Sequence, residues 1–327
     1  MSASVVICAY TLDRWDDLVA AVQSCVDQTL RPHEIVVVID HNEVLRKRAA
    51  LSLTSAHVVA NQLTKGLSGA RNTGVVVSTG DVVAFLDDDA YADREWLERL
   101  IAPMNDQEVV GVGGWILPHW QGDVATWFPE SFYWVFGCSY EGLPTNGSVI
   151  RNPIGANMAM RRKLFETVGG FTSGIGRVGQ VPLGCEETEL CIRYTTRCPN
   201  ERFVMARDAI VHHRVPHSRL SWKYFWTRCW AEGISKAAVT SLAGTNAGLS
   251  SERRYVMRTL PTEFLGSVRR FRAQPRSNGL RIFYMLVGTT CAVAGLIVGR
   301  IALRRRPITS NTSDLDLLMT TPTSGDG

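Results

Sequence analysis

Three consecutive carboxylates, Asp87, Asp88 and Asp89, close an apolar run that begins at Val82. Two carboxylates one residue apart can grip a hard divalent cation, Mg2+ or Mn2+, which in turn holds a diphosphate. Open α/β sheets bind ligands at the carboxyl ends of their strands, so a strand ending in acid sits where a site belongs. An acidic solvated turn would give the same three letters. Upstream, Gly66 to Gly74 forms a glycine-containing turn that leads into a helix carrying Arg71 in its first turn. Helix N-termini and arginine both favour phosphate, although Arg71 can equally pair with a strand-end aspartate. Farther back, the run Ile35 to Ile39 ends in Asp40, and the first apolar run ends in Ala9, Tyr10 and Thr11. An aspartate there can accept the imide proton of uracil, with Ala9, Tyr10 and Thr11 cradling the base. Capping of the next helix is the competing use of Asp40.

These residues need a scaffold. Val5 to Cys8, Glu34 to Ile39, His57 to Ala60 and Val82 to Leu86 read as strands alternating with helical stretches, a pattern of βαβ units with a parallel sheet. Asp93 stands where an N-cap precedes the helix Arg94 to Leu100, and Pro103 closes it. From Trp115 to Tyr140 the chain is rich in aromatics, Trp134 among them, which serve either a core or an acceptor-facing wall. Trp222, Tyr224, Phe225, Trp226 and Trp230, interleaved with Lys223 and Arg228, suit a helix at a lipid interface.

With 45% hydrophobic and 20% charged residues, a chain of 327 residues excludes global disorder. The net charge of +4 is small, and its basic residues gather between Arg253 and Arg306, which suits anionic lipid rather than nucleic acid. Residues 282–299 carry no charge, a stretch just long enough to span a bilayer, with arginines on both sides. A crossing leaves one basic cluster outside, so a re-entrant insertion and a buried core helix are the alternatives. The eight cysteines are scattered and read as reduced thiols, and the N-terminus carries no export segment. The organisation expected is therefore 1–220 for the α/β domain, 221–275 for an amphipathic helical extension, 276–306 for a membrane-associated segment and 307–327 for a disordered tail.

Val5 to Thr11, Ser24 to Gln28 with Pro32 to Asp40, Leu67 to Gly74 and Asp87 to Asp89 together resemble the ordered signature of family 2 glycosyltransferases. Gly184-Cys-Glu-Glu-Thr-Glu-Leu190 resembles the family's acidic motif at a helix start, with Glu-Glu in place of the usual Glu-Asp. Arg151 to Arg161 and Gly169 to Phe171 fit the strand and turn toward the acceptor. The resemblance implies a GT-A type α/β sandwich with a mainly parallel sheet. It implies that Asp40, Arg71, Asp87 and Asp88 contact a nucleotide-sugar donor and that Asp87 and Asp89 hold the metal. Glu187 becomes the base, with Glu186 and Trp134 on the acceptor side. His212 or His213 lies near the metal or diphosphate, and spacing favours His213. Inverting transfer of a sugar from a uridine nucleotide follows as the expected reaction, with a polyprenyl-linked acceptor at the cytoplasmic face of the membrane. A nicotinamide dehydrogenase is disfavoured because no G-x-G-x-x-G follows the first strand. A sugar nucleotidyltransferase and a noncatalytic membrane scaffold remain as alternatives.

Overall fold

The computed structural model describes residues 1–123, 127–173, 184–244 and 249–305. The expected tail and the flanking Arg306 lie outside them.

The four strands expected from the apolar runs are present: β1 (Ala3–Ala9), β2 (Glu34–Ile39), β3 (His57–Ala60) and β4 (Val82–Asp87). They pair in parallel in the order β3-β2-β1-β4. Strands buried on both faces need apolar residues at every position. Accordingly Val5 and Ile7 face a core with α1 (Trp15–Val26), α2 (Glu43–Ser52) and α4 (Trp96–Ile101), whereas Val6 faces one with α3 (Leu67–Val77). At Gly74 an added Cβ would stand 2.4 Å from Val6, so glycine lets α3 lie directly on β1. That close approach carries Arg71 to the strand ends.

Beyond β4 the sheet becomes mixed. After β5 (Ala90–Ala92) come β6 (Val109–Trp120), β7 (Val149–Ile150), β8 (Asn157–Arg161) and β9 (Arg202–Val215). β8 runs antiparallel to β4 and β6, β6 and β9 are parallel, and β5 and β7 run antiparallel to β9. The parallel reading came from the βαβ alternation of the first half, and it ends where that alternation ends. α5 (Arg162–Val168) and α6 (Glu186–Arg197) cover the α3 face. Asp93 does not cap α4: Glu95 precedes the helix, and Asp93 accepts a 2.9 Å contact from His212. The tertiary partner outcompeted the local cap.

After β9 come α7 (Trp222–Ala243), α8 (Ser250–Arg254), α9 (Leu260–Arg269) and α10 (Pro275–Arg305). α10 is unbroken over 31 residues, about 46 Å at the usual helical rise. By length and composition it can cross a membrane, and little of its apolar window is buried. Phe283, Leu286, Val293 and Ile297 are each about half exposed. The opposite face packs on α7 through glycine. At Gly295 an added Cβ would lie 2.3 Å from the Trp230 carbonyl oxygen, and at Gly233 it would lie 2.1 Å from that of Ala292. Gly295→Val is expected to cost about 1–3 kcal/mol by overpacking, read as a lowered Tm in detergent. An unchanged Tm would mean that the two helices do not meet there.

The aromatic stretch builds a core and also lines a cavity. Phe128, Phe132 and Phe136 join Phe225 and Met285 in a third core that binds α7 and α10 to the sheet domain. Trp134 packs against that core, lines a cavity together with Phe132 and Phe136, and donates its indole N–H to Tyr255 Oη at 3.2 Å.

Candidate active site

The carboxyl ends of β1, β2 and β4 lie side by side because their register is in step, with Cys8 opposite Asp87 and Ala9 opposite Ile39. The expected donor residues meet there. Asp40 caps no helix; Asn42 caps α2 by accepting from Leu45 N–H at 3.0 Å. Asp40 instead accepts from Asn61 Nδ2 at 2.7 Å and from Gly66 N–H at 3.0 Å, tying the glycine turn to β2. Ala9 accepts from Asp40 N–H, Tyr10 accepts from Asn42 Nδ2, and Thr11 holds the next turn through Asp13 N–H.

The three aspartates separate in environment. Asp87, about one-third exposed, faces the cavity, with Arg71 Nη2 3.5 Å away. Asp88 turns inward, where Arg14 Nη1 donates to its Oδ1 at 2.7 Å and Oδ2 has no protein partner. Burial, opposed by Arg14 and reinforced by Asp89, pushes the Asp88 carboxyl up to about 7. Asp89 is buried among three cationic groups: Arg14 at 3.1 Å, His213 Nε2 at 3.2 Å and Arg219 at 3.3 Å. Burial alone would raise its carboxyl, but His213 and the two arginines hold it well below the usual carboxylate range.

Strand register gives the two histidines different partners. β5 runs against β9 with Ala90 opposite His213 and Tyr91 opposite His212. Neighbouring strand residues face opposite sides. His213 therefore meets Asp89, while His212 stacks on Tyr91 at 4.8 Å and contacts Asp93. Burial lowers the His213 imidazole, yet the Asp89 carboxylate outweighs it and lifts it to about 10. One ligand atom each from Asp87, Asp89 and His213 lie within 4.8 Å of one another. Two carboxylates and an imidazole are a donor set that fits a divalent cation.

Asp87 and His213 open on a cavity of about 650 Å3, whose lining also includes Arg71, Glu186, Glu187 and Trp134. Arg71 is buried, donating to Glu186 Oε1 at 2.7 Å and to the Gly155 carbonyl at 3.1 Å. Glu186 Oε2 is buried and unpartnered. Glu187, one residue on in the first turn of α6, is partly buried. Burial, then the neighbouring Glu186, raises its carboxyl to about 8 against the pull of Arg71. The preceding Cys185 holds φ at +79°, a backbone conformation that is rare for a side chain of this kind and clusters at functional sites. The arrangement offers a cation site and a carboxylate poised near neutral pH on one cavity.

Two residues at this centre were not foreseen. Arg14 follows the end of β1 by five residues, closing the short 3-10 turn that leads into α1 at the carboxyl end of the strand, and that position was its one local signal. Arg219 had none, since only the chain's return after β9 brings it to Asp89.

A family model described as glycosyl transferase family 2 matches residues 4–169. The chain belongs to that family. It is a glycosyltransferase with a GT-A-like α/β fold. It is 33% identical over 246 residues to the glucosyl-dolichyl phosphate glucuronosyltransferase of Haloferax volcanii, covering 74% of this chain and 78% of the relative. Similarity to the succinoglycan biosynthesis protein ExoM of Rhizobium meliloti is 26% over 197 residues, or 56% and 60% of the two chains. In fold it is similar to GalNAc-T7, solved with UDP, GalNAc and Mn2+, at a TM-score of 0.50 and 18% identity. That match covers 78% of this chain and about half, 53%, of the other.

Proposed function

We propose that this glycosyltransferase moves a sugar from a UDP-sugar to a hydroxyl of a lipid-linked sugar, with inversion, at the cytoplasmic face of a membrane. The observation that carries this reading is the shared cavity, which presents Glu187 together with the Asp87 and His213 members of the cation cluster. Asp87, Asp89 and His213 would hold a divalent cation, and a cation bound there would neutralise the departing nucleoside diphosphate. Ala9, Tyr10, Thr11, Asp40 and Arg71 orient the nucleotide at the strand ends. Asp88 supports them from below through Arg14. Glu187 takes the proton of the acceptor hydroxyl as that oxygen bonds to the anomeric carbon and the bond to the diphosphate oxygen breaks. One base opposite one leaving group gives a single displacement and hence inversion. Glu186 fixes Arg71 at the acceptor side of the cavity, which Trp134 also lines.

The donor reading rests on Asp40 and on a fold shared with a protein solved with UDP. The acceptor reading rests on the Haloferax relative and on the apolar α10 with its arginine flanks. The eight free cysteines accord with a reducing compartment. We divide the chain into a catalytic domain to residue 220, a helical extension to 275 and a membrane segment to 306. The first assay should offer UDP-glucuronate and glucosyl-dolichyl phosphate, the acceptor that the relative's name specifies, to the detergent-solubilised protein. Release of UDP that EDTA abolishes and Mn2+ or Mg2+ restores is the expected result. Pyrophosphate release, or turnover indifferent to EDTA, would overturn the reading.

A further inference from the structure

The helix α10 has two faces, and its packing on α7 uses only one. Met285, Gly288, Gly295 and Gly299 are buried on that side. On the opposite side Leu280, Phe283, Leu286, Ile297, Val298 and Ile301 are each 40 to 56% exposed, and they fall within about 120° of one another at 3.6 residues per turn. Trp222, at the start of α7, is exposed beside this stripe and stacks on Phe283 at 5.7 Å. An apolar stripe of this extent on a surface marks a contact with lipid or protein. Its ends say which. Arg272 and Arg276 before it and Arg304 after it are exposed, and α9 leads in with exposed Leu265, Val268 and Phe271 among Arg269 and Arg270. Arginines interleaved with large apolar side chains fit the headgroups and acyl boundary of an anionic bilayer.

How α10 meets that bilayer follows from its partner. The two helices run side by side in the same direction: a Cβ added at Gly288 would stand 2.8 Å from Phe225, and one at Gly299 would stand 2.7 Å from Ala237. The uncharged run of α10 therefore lies abreast of Arg228, Glu232 and Lys236. α7 is in turn fastened to the catalytic domain, where Ser235 accepts from Gly184 N–H at 3.2 Å and Lys236 Nζ lies 3.3 Å from Cys185 Sγ, two residues before Glu187. If α10 crossed the bilayer, these charges and the start of α6 would be carried to hydrocarbon depth, where ionised side chains are costly. We propose that α10 lies in the plane of an anionic membrane surface, with its Leu280 to Ile301 stripe sunk to the acyl boundary of one leaflet, and does not cross it. Both arginine clusters then meet the headgroups of the same leaflet, which removes the conflict with the positive-inside tendency that a crossing creates. The cavity walled by α7 and α10 is thereby held at the lipid surface. The proposal rests on the membrane location given above and adds the way the chain is seated there.

The test fuses either green fluorescent protein, bright only in the cytosol, or alkaline phosphatase, active only once exported, after Gly327 of the full chain in bacterial cells. Both fusions should sediment with the membranes, the first bright and the second at the level of a cytosolic control. Dim fluorescence with phosphatase activity at least tenfold above that control would show a crossing and overturn the proposal, while leaving the membrane location standing. Recovery of both fusions in the soluble fraction would instead sink the membrane location itself. Leu286 and Ile297 lie outside the cavity lining, so a Leu286→Glu, Ile297→Glu double variant reports on the stripe alone. It should lower the membrane-bound share at least fivefold and keep the Tm in detergent within about 3 °C, as surface substitutions do. A double variant that keeps its fold and stays on the membrane as the wild type does would show that the stripe is not the contact.

Discussion

Glu187→Gln is expected to lower kcat by roughly 10²–10⁴-fold, the usual contribution of a general base, while the Kd for UDP with Mn2+ stays within about threefold. Glutamine preserves volume and hydrogen bonding but cannot accept the proton. The wild-type carboxyl is raised to about 8, so kcat should climb with pH and level off above that value. The stability signature runs the other way. A partly buried carboxyl with a raised pKa favours the protonated form in the folded state, so its stabilising contribution is present below the ordinary value of 4.5 and fades as pH rises toward 8. Glu187→Gln should therefore gain on the wild type in Tm between pH 5 and 9 even as it loses turnover. A variant that keeps its turnover, or that loses donor affinity in parallel, would show that Glu187 is not the base.

Asp89→Asn should both abolish turnover and destabilise the fold, whereas Asp87→Asn should abolish turnover almost alone. Asp89 is buried and balances Arg14, Arg219 and His213, all within 3.3 Å. Removing one partner of a buried charge cluster costs about 3–5 kcal/mol because the remaining charges have no water to turn to. Asp87 is about one-third exposed and meets Arg71 only at 3.5 Å, so its loss should cost about 1 kcal/mol or less. Thermal unfolding separates the two, and activity with added Mn2+ should be at background in both. Equal Tm losses would contradict the charge assignment. Retained Mn2+-dependent turnover in Asp89→Asn would remove Asp89 from the cation site.

The parallel half of the sheet was legible because its signal is local. Unbroken β-branched runs such as Ile35 to Ile39 must be buried on both faces, and the acid that ends the last strand of the parallel half sits at a strand's carboxyl end, where a parallel sheet binds its ligands. The glycine turn before α3 is likewise a short-range pattern whose backbone geometry follows from residue type, Gly66 taking φ +128°, whereas the paired glutamates of α6 follow a Cys185 held at φ +79° against its type. The α4 cap was misread by the same local logic, since Asp93 is a good cap until His212 arrives from the far end of the chain.

The amino-acid order alone thus determined the strands, the glycosyltransferase motifs and the list of acids that could do chemistry. Which of them meet was settled by tertiary structure. Arg14 reaches Asp88 across 74 residues and Arg71 reaches Glu186 across 115. His213 faces Asp89 only because β5 registers against β9. The apolar C-terminal helix could have been an independent anchor, yet glycine-lined packing against α7 makes it a wall of the cavity that Asp87 and Glu187 also line. Such convergence is invisible locally because a side chain's charge state and neighbours depend on burial and distance in space, and neither is a property of spacing along the chain.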